Sequence, residues 1–422
     1  LAYGFLVERA GFLLASTLLF IAVARGFASR RWVLNAFVGA AVAGFIFAVF
    51  NFGLGLQLPP GVLRGVLPDG SGINNVLSGA RHGRAPQKWF SPSQPGAPRP
   101  ALRFQAATYG TVLASWLLGA PLPWPEMVPI SRALHVAQWA AGAIRKHGGC
   151  QINAPVSRAL RVCVAAREAG LDLTGAVFVV AGEPATPAKT AGIRASGARC
   201  YVTYGFAEAG RVAIGCANPS TTNDLHLLRD AFAVFPFERQ APGSSVTVEA
   251  LNITTLLLTT PQILINAEID DYGAVEERSC GCPLEQLGYR LHVRDIYSYR
   301  KLTGEGVTLA GSEMIDILER VLPARFGGSP LDYQLIEEED EQGFTRLTLA
   351  VSPRAPLRQE DEPEVLATLM RELAASSVMA GAARSIWAQA GALRLKRIEP
   401  VWTGRGKLLP LHLASRSRRD GS

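Results

Sequence analysis

The chain has little of the material from which a disulfide framework is built. Six cysteines are spread over 422 residues, which excludes a small, densely bridged secreted scaffold and suits a reducing compartment with metal binding. A basic cluster is also missing. Lys and Arg number 42 against 35 Asp and Glu, a net charge of +7, yet the cations are scattered apart from Arg416, Arg418 and Arg419 in the tail. That pattern reads as a solvated tail, so no nucleic-acid partner is expected. No internal repeat is visible, and no cleavable signal peptide is evident. The first residue is Leu1, so a processed or truncated start is expected.

What the chain has in excess is apolar surface, and it is uneven. The hydrophobic fraction is 48%, and the excess is concentrated before Leu58. The run from Gly11 to Ala24 is broken only by Ser16 and Thr17, and the run from Val33 to Leu56 only by Asn35 and Asn51. The second run meets the requirement of roughly 20 residues for crossing a bilayer. Two transmembrane helices are therefore expected within residues 1–61, joined by a loop whose Arg25, Arg30 and Arg31 belong on the cytoplasmic side. A pair of buried core helices is the alternative, disfavoured because neither run has a polar stripe. A Gly-Phe-Leu-Leu-Ala-Ser helix, an Arg-rich turn and a Phe-rich helix closing on Leu58-Pro59-Pro60-Gly61 resemble the C-terminal two helices of the small membrane subunit of tripartite tricarboxylate transporters. That resemblance implies contact with a lipid bilayer through residues 1–56 and an inner-membrane location.

At about 150 residues per domain, the length allows two or three domains. Residues 62–100 are dominated by Gly, Pro, Ser and Arg and read as a linker. From 101 to 150 helical patterns return, with Trp116, Trp124 and Trp139 as expected core anchors. A buried strand over Ala176–Val180, a helix over Lys189–Ala198 and a strand over Arg199–Thr203 alternate, and β-rich stretches follow over Ser245–Leu258 and Gln262–Ile269. This alternation predicts an α/β domain over residues 101–300. From Leu331 come a strand, an acidic turn, a strand over Phe344–Val351, a helix over Glu360–Ala375 and a strand over Leu393–Ile398. The expected fold class is thus α/β with an α+β C-terminal cap over residues 301–422, preceded by two transmembrane helices.

Three short stretches carry chemistry. In Tyr204-Gly205-Phe206-Ala207-Glu208 the glycine lets a flat base approach the backbone, and the glutamate offers magnesium a hard oxygen. A plain strand-to-turn junction is the alternative. In Asp270-Asp271-Tyr272-Gly273 a carboxylate is suited to accept ribose hydroxyl protons, although an Asp-x-Gly turn reads equally well. Near the C-terminus, Gly406-Lys407 places an ammonium group able to neutralise charge building between a carboxylate and an α-phosphate.

The ordered set Ala181-Gly182-Glu183-Pro184, Tyr204-Gly205-x-x-Glu208, Asp270-Asp271-Tyr272-Gly273 and Gly406-Lys407 resembles the adenylate-forming ligases, and within them the phenylacetate-CoA ligase branch, over about residues 75–412. The resemblance implies a ligase fold truncated N-terminally and ATP-dependent activation of a carboxylic acid to an acyl-AMP. Transfer to coenzyme A follows, with the C-terminal domain swinging between half-reactions. It implies Mg²⁺ as cofactor and a cytoplasmic catalytic portion. By that likeness Gly182, Glu183, Tyr204 and Gly205 contribute to the nucleotide site, Glu208 binds Mg²⁺, Asp271 holds the ribose and Lys407 acts in adenylation. Ser78, Gly79 and Gly83, in a run that ends at Pro86, stand where the phosphate loop belongs, with Ala, Arg and His replacing most of its hydroxyls. Ser298–Gly306 stands at the hinge, without the usual Arg-x-Asp.

Cys216, His226, Cys280 and Cys282 form a three-thiolate, one-imidazole set that could close tetrahedrally on zinc, a structural site with no open position. Ordinary buried thiols are the alternative, since Cys280-Gly281-Cys282 is spaced more tightly than the usual pair. The Cys…Leu-His-Leu…Cys-x-Cys order resembles the same ligase branch, some of whose members bind a metal there. Cys150, Cys163 and Cys200 read as core, and His135, His147 and His292 receive no role. The competing function is a transporter membrane-subunit fragment fused to a catalytically impaired adenylate-binding domain. Topology sharpens that competition: with the arginine loop inside, everything after Gly61 emerges outside, where ATP and coenzyme A are scarce.

Overall fold

The computed structural model describes residues 12–26, 31–48, 86–93, 102–117, 119, 121–206, 208–240, 247–257, 262–298, 303–304, 307–308, 311–339, 345–376, 393–404 and 406–413. The first apolar run forms α1 (Phe12–Gly26) and the second forms α2 (Trp32–Ala48). They pack as a hairpin. A side chain at Gly39 would press on the Phe20 ring at 3.1 Å, so the helices touch closely there. Their outer faces bury nothing: Phe37 is 72% and Phe45 70% exposed. Among the described residues no helix is long and apolar enough to cross a membrane, so the two expected spans stand as helices of 15 and 17 residues. The remainder of the second run lies outside the described residues.

The region read as linker and helices is more extended than expected. Strand β1 (Trp89–Ser93) pairs in parallel with β2 (Pro125–Pro129), with α3 (Leu102–Leu117) between them. Two of the three tryptophan anchors are also corrected. Trp116 and Trp124 are 57% and 55% exposed, whereas Trp139 packs on the core. The Trp116 indole N–H donates to the Leu122 carbonyl at 3.0 Å, so its polar edge is used in covering a turn.

Helix α4 (Ala133–His147) leads into a nine-stranded sheet in the order β3-β4-β5-β6-β7-β11-β10-β9-β8. Strands β3 (Cys150–Pro155), β4 (Ala176–Ala181) and β5 (Arg199–Phe206) are parallel. The rest are antiparallel: β6 (Gly210–Gly215), β7 (Leu225–Leu227), β8 (Phe232–Gln240), β9 (Thr247–Thr255), β10 (Ala267–Glu277) and β11 (Leu291–Ser298). β4 is Ala-Val-Phe-Val-Val-Ala because helices cover it, as a parallel strand requires. The covering stripe of α5 (Val156–Glu168) is Val156, Ala159, Leu160, Cys163 and Ala166, at helical spacing. Helix α6 (Pro187–Arg194) starts two residues before the expected Lys189 and stops short of the expected Ala198; Thr186 sets its start, the hydroxyl accepting from the Lys189 amide at 3.3 Å, with Pro187 in the first turn. All of Cys150, Cys163 and Cys200 belong to this core.

The C-terminal unit has its own core. A two-stranded ribbon, β12 (Thr303–Gly304) with β13 (Val307–Thr308), precedes α7 (Gly311–Asp316), a π-helical turn (Ile317–Val321) and α8 (Leu322–Phe326). Strands β14 (Tyr333–Glu339), β15 (Thr345–Val351), β16 (Leu393–Arg397) and β17 (Leu411–Leu413) form a sheet in the order β16-β15-β14-β17. Helix α9 (Glu362–Ser376) covers it through Val365, Leu369 and Leu373. Leu331 and Leu408, from this end of the chain, are buried in the core of the α/β unit, with Trp402 packed beside them. These residues seat the segment that carries Lys407.

Candidate active site

The parallel strands end on one edge of the sheet, the edge where ligands bind in open α/β folds. Just past β4, Gly182 adopts φ +79°. Lys407 reaches that turn, its Nζ donating to the Gly182 carbonyl at 2.7 Å. A Cβ at residue 182 would stand 3.0 Å from Nζ, so the backbone favours glycine here and any side chain would nudge the lysine tip. The loop bearing Lys407 is braced at both ends by Gln334 on β14. Its Nε2 donates to the carbonyls of Val401 at 3.0 Å and Leu409 at 2.7 Å, and its Oε1 accepts from the Val401 amide at 2.7 Å.

The side chain of Glu183, the next residue, is buried, at 1% exposure. Ser157 donates its hydroxyl to Oε2, while Oε1 has no partner. Burial pushes this carboxyl above its ordinary range, against the pull of Lys189, the Ser157 hydroxyl and Lys407. Lys189 offsets only part of that cost, because its closer partner lies elsewhere. Its Nζ lies 2.7 Å from Glu319 on the π-helical turn of the C-terminal unit and only 3.8 Å from Glu183. Thr186 donates to the other Glu319 oxygen at 2.5 Å. Burial alone would lower the Lys189 pKa, yet the Glu319 and Glu183 carboxylates raise it. Lys189 and Glu319 are thus a buried ion pair across the seam, with side-chain exposures of 3% and 4%.

One strand over, Tyr204 donates its hydroxyl to Asp271 at 2.9 Å. β5 and β10 are four places apart in the sheet, about 19 Å if it were flat, so the bond requires a strongly curled sheet. The curl is visible in the backbone. The register shifts between Tyr204 and Gly205 and between Glu268 and Tyr272, and Asp270 adopts φ +60°. At Gly205 any side chain would lie 2.2 Å from the Gly210 carbonyl oxygen, which excludes every residue but glycine. Asp271 therefore sits inside β10 at an irregularity, not in the polar turn after a strand ending at Ile269 that the sequence suggested. Burial and the Asp271 charge raise the Tyr204 phenol well above its usual range, keeping it a donor. Glu208 is exposed in the turn after β5. Ser78, Gly79 and Gly83 lie outside the described residues.

The ligand atoms of Cys216, His226, Cys280 and Cys282 all lie within 4.8 Å of one another. His226 Nε2 is 3.1 Å from Cys282 Sγ and 3.7 Å from Cys280 Sγ, while its Nδ1 is 2.7 Å from the Tyr289 carbonyl. An N–H on Nδ1 bonded to that carbonyl leaves the Nε2 lone pair facing the thiols, the orientation a metal ligand needs. Burial raises the Cys216 thiol to about 12. At Cys282 burial also acts upward, but backbone N–H donors led by Glu285 bring the thiol down to about 6. Such divergence among adjacent sulfurs is what a divalent cation would remove, and the donor set fits zinc. Sequence reasoning missed two neighbours here. Asp224 and His292 are buried and joined at 2.6 Å, and Asp224 also receives Arg278 at 2.5 Å. A buried His–Asp pair 68 residues apart in sequence leaves no local pattern.

Comparison with known proteins returns the same two halves that the sequence resembles. A family model described as the tripartite tricarboxylate transporter TctB family matches residues 1–59. None of the curated proteins matches. Similar solved structures are adenylate-forming enzymes. A 2-hydroxyisobutyryl-CoA ligase in complex with 2-HIB-AMP has 14% identity and a TM-score of 0.45, covering 83% of this chain and 70% of that one. The amide bond synthetase McbA from Marinactinospora thermotolerans has 14% identity and a TM-score of 0.42, covering 80% and 63%. The O-succinylbenzoate coenzyme A synthetase MenE from Bacillus subtilis, in complex with ATP and magnesium, has 13% identity and a TM-score of 0.41, covering 81% and 64%. The chain spans less than two thirds of the length of the last two.

Proposed function

We propose that residues 86–413 carry an acid–thiol ligase site of the phenylacetate-CoA ligase type, joining a carboxylic acid to AMP and then to coenzyme A. The observation that carries this reading is the contact of Lys407 with the Gly182 carbonyl. It brings a cation from the C-terminal unit to the strand-end edge, one strand from Tyr204, Gly205 and Glu208. There Lys407 would neutralise charge on the carboxylate and α-phosphate as the acyl-AMP forms. Asp271, already accepting one proton from Tyr204, retains lone pairs for ribose hydroxyls. Glu208 is the residue that would hold Mg²⁺, which supplies charge neutralisation on the triphosphate when bound. ATP–pyrophosphate exchange with a panel of carboxylic acids tests the assignment. Exchange that is abolished in Lys407→Ala supports it, and no exchange with any acid would sink it.

Zinc at Cys216, His226, Cys280 and Cys282 is part of this reading, as a structural ion. Metal analysis of the purified protein should give one zinc per chain, lost in Cys282→Ser. The hairpin belongs to the proposal as well. Its exposed apolar faces and the match of residues 1–59 to the TctB family support a seat in the inner-membrane bilayer. The ligase portion then belongs on the cytoplasmic side, where ATP and coenzyme A are found. Protease added outside intact cells should leave residues 86–413 uncut; digestion from outside would instead favour the impaired fusion with a transporter fragment.

A further inference from the structure

A cavity of about 410 Å³ lies on the seam between α5 and the C-terminal unit. Arg161 and Arg167 line it from α5, and Ser329, Asp332 and Arg354 line it from the other side. Arg161 is only 8% exposed and its Nε has no hydrogen-bond partner. Among the described residues its guanidinium makes neither a hydrogen bond nor an ion pair. Of the acids nearby, Asp332 has one oxygen engaged and Glu399 is held by Arg354. The Asp332 carboxylate accepts both the Ser329 amide and the Ser329 hydroxyl at 2.7 Å, closing its own turn. Arg354 is held 3.1 Å from Glu399, and Glu168 is exposed at the rim. Burial, and then repulsion from Arg354, lowers the pKa of Arg161 against the opposing pull of Glu168, Asp332 and Glu399, none of which bonds to it. A guanidinium so placed is costly unless an acceptor from outside completes it.

The geometry points to a binding site for a phosphate-type oxyanion in this cavity, gripped by Arg161, with Arg354 and Arg167 completing its charge. The planar guanidinium fork matches two phosphate oxygens at once, which a point charge could not do. The site is distinct from the sheet edge that holds Lys407. Arg161 and Arg167 lie four and ten residues beyond Ser157 on α5, about 6 and 15 Å along the helix axis. Because both units build the walls, an occupant would favour their docked arrangement by mass action. The ligand could be free inorganic phosphate or the phosphomonoester of a nucleotide; the chemistry is shared. None of this depends on the ligase reading.

Thermal unfolding of the full chain in inorganic phosphate, against chloride at matched ionic strength, tests the site. The midpoint should rise saturably with phosphate, and the apparent affinity should fall at least about tenfold in Arg161→Met, the loss of one bidentate, charge-assisted contact. Methionine removes the buried charge while keeping the volume, so this variant should fold. Arg354→Gln supplies a second reading and should weaken the response, whereas Arg145→Gln, on α4 away from the cavity lining, should leave it intact. Adenosine 3′,5′-bisphosphate forms the second arm. A response to it that is stronger than to phosphate and lost in Arg161→Met assigns the site to a nucleotide phosphomonoester, and an equal response assigns it to free phosphate. A phosphate response no larger than the chloride control, or one undiminished in both Arg161→Met and Arg354→Gln, overturns the proposal.

Discussion

Helices α2 and α4 are nearly equal in length and both are rich in alanine, yet they meet opposite fates. α4 carries His135, Gln138, Arg145 and Lys146 on one side and buries Val136, Ala137, Ala140 and Ala141 on the other. α2 has a single polar residue, Asn35, and leaves Trp32, Phe37 and Phe45 largely exposed. The difference is what each helix has to pack on. α4 packs on α5 and on β3, which cover its stripe, while among the described residues α2 packs chiefly on α1, which can cover one side of a helix that is apolar all round. The seat in a lipid bilayer proposed for the hairpin rests on this exposed apolar surface, which α4 does not share.

This contrast is broken most sharply at the seam. Removing the acid of the buried pair with Glu319→Ala should cost about 3–5 kcal/mol, because it strands the Lys189 ammonium, and urea unfolding of the full chain should show it. A comparable loss from Lys189→Ala but a much smaller loss from the double variant would identify the stranded charge as the cause. Next comes packing. Leu160→Ala, in the core under β4, should cost about 2–5 kcal/mol, whereas Phe45→Ala on the hairpin should leave the body's unfolding midpoint unmoved and lower its partition into lipid vesicles. Equal losses at the two positions would show that the hairpin is part of the folded core after all.

Function should divide along the same line. Lys407→Ala should lower ATP–pyrophosphate exchange roughly 10²–10³-fold, with no change in melting temperature beyond the loss of one surface contact, while Phe37→Ala in the hairpin should leave exchange unaffected. The smallest effect concerns pH. Glu183 has its carboxyl raised by burial, so the folded state binds its proton more tightly than the unfolded chain does. Its contribution to stability is therefore fully present below the ordinary carboxylate pKa of about 4.3, and is lost as pH rises through the raised value. Glu183→Gln should flatten that slope in urea titrations taken across acid to neutral pH. An unchanged slope would mean that Lys189 and Lys407 already balance the charge.

Much of the body was legible. The strand Ala176–Ala181 and the helix over α9 follow from apolar runs whose period and end signals are local, and the order of Gly182, Glu183, Tyr204 and Lys407 along the chain pointed to one edge. The Cys and His residues of the metal set were legible as a composition, though only the fold brings them within 4.8 Å. Other features left no trace. Lys189 reads as an ordinary first-turn residue after a Thr-Pro cap, and its partner Glu319 is 130 residues away on a π-helical turn. Asp224 and His292 fail for the same reason. Trp116 and Trp124 misled because large aromatic area usually signals a core, whereas here the Trp116 indole N–H is used at a turn near the surface.

Taken alone, the sequence determined many of the strands and helices, where the apolar excess lies, and that an acid-bearing turn and a late lysine occur in a fixed order. Periodicity and local turn chemistry carry that much, because they act over a few residues. Tertiary structure decided which charges are buried together, how far the sheet curls to join Tyr204 to Asp271, and that Arg161 ends without an acceptor. Those outcomes depend on segments distant along the chain meeting at close range, and burial sets their energies only once the two units have docked.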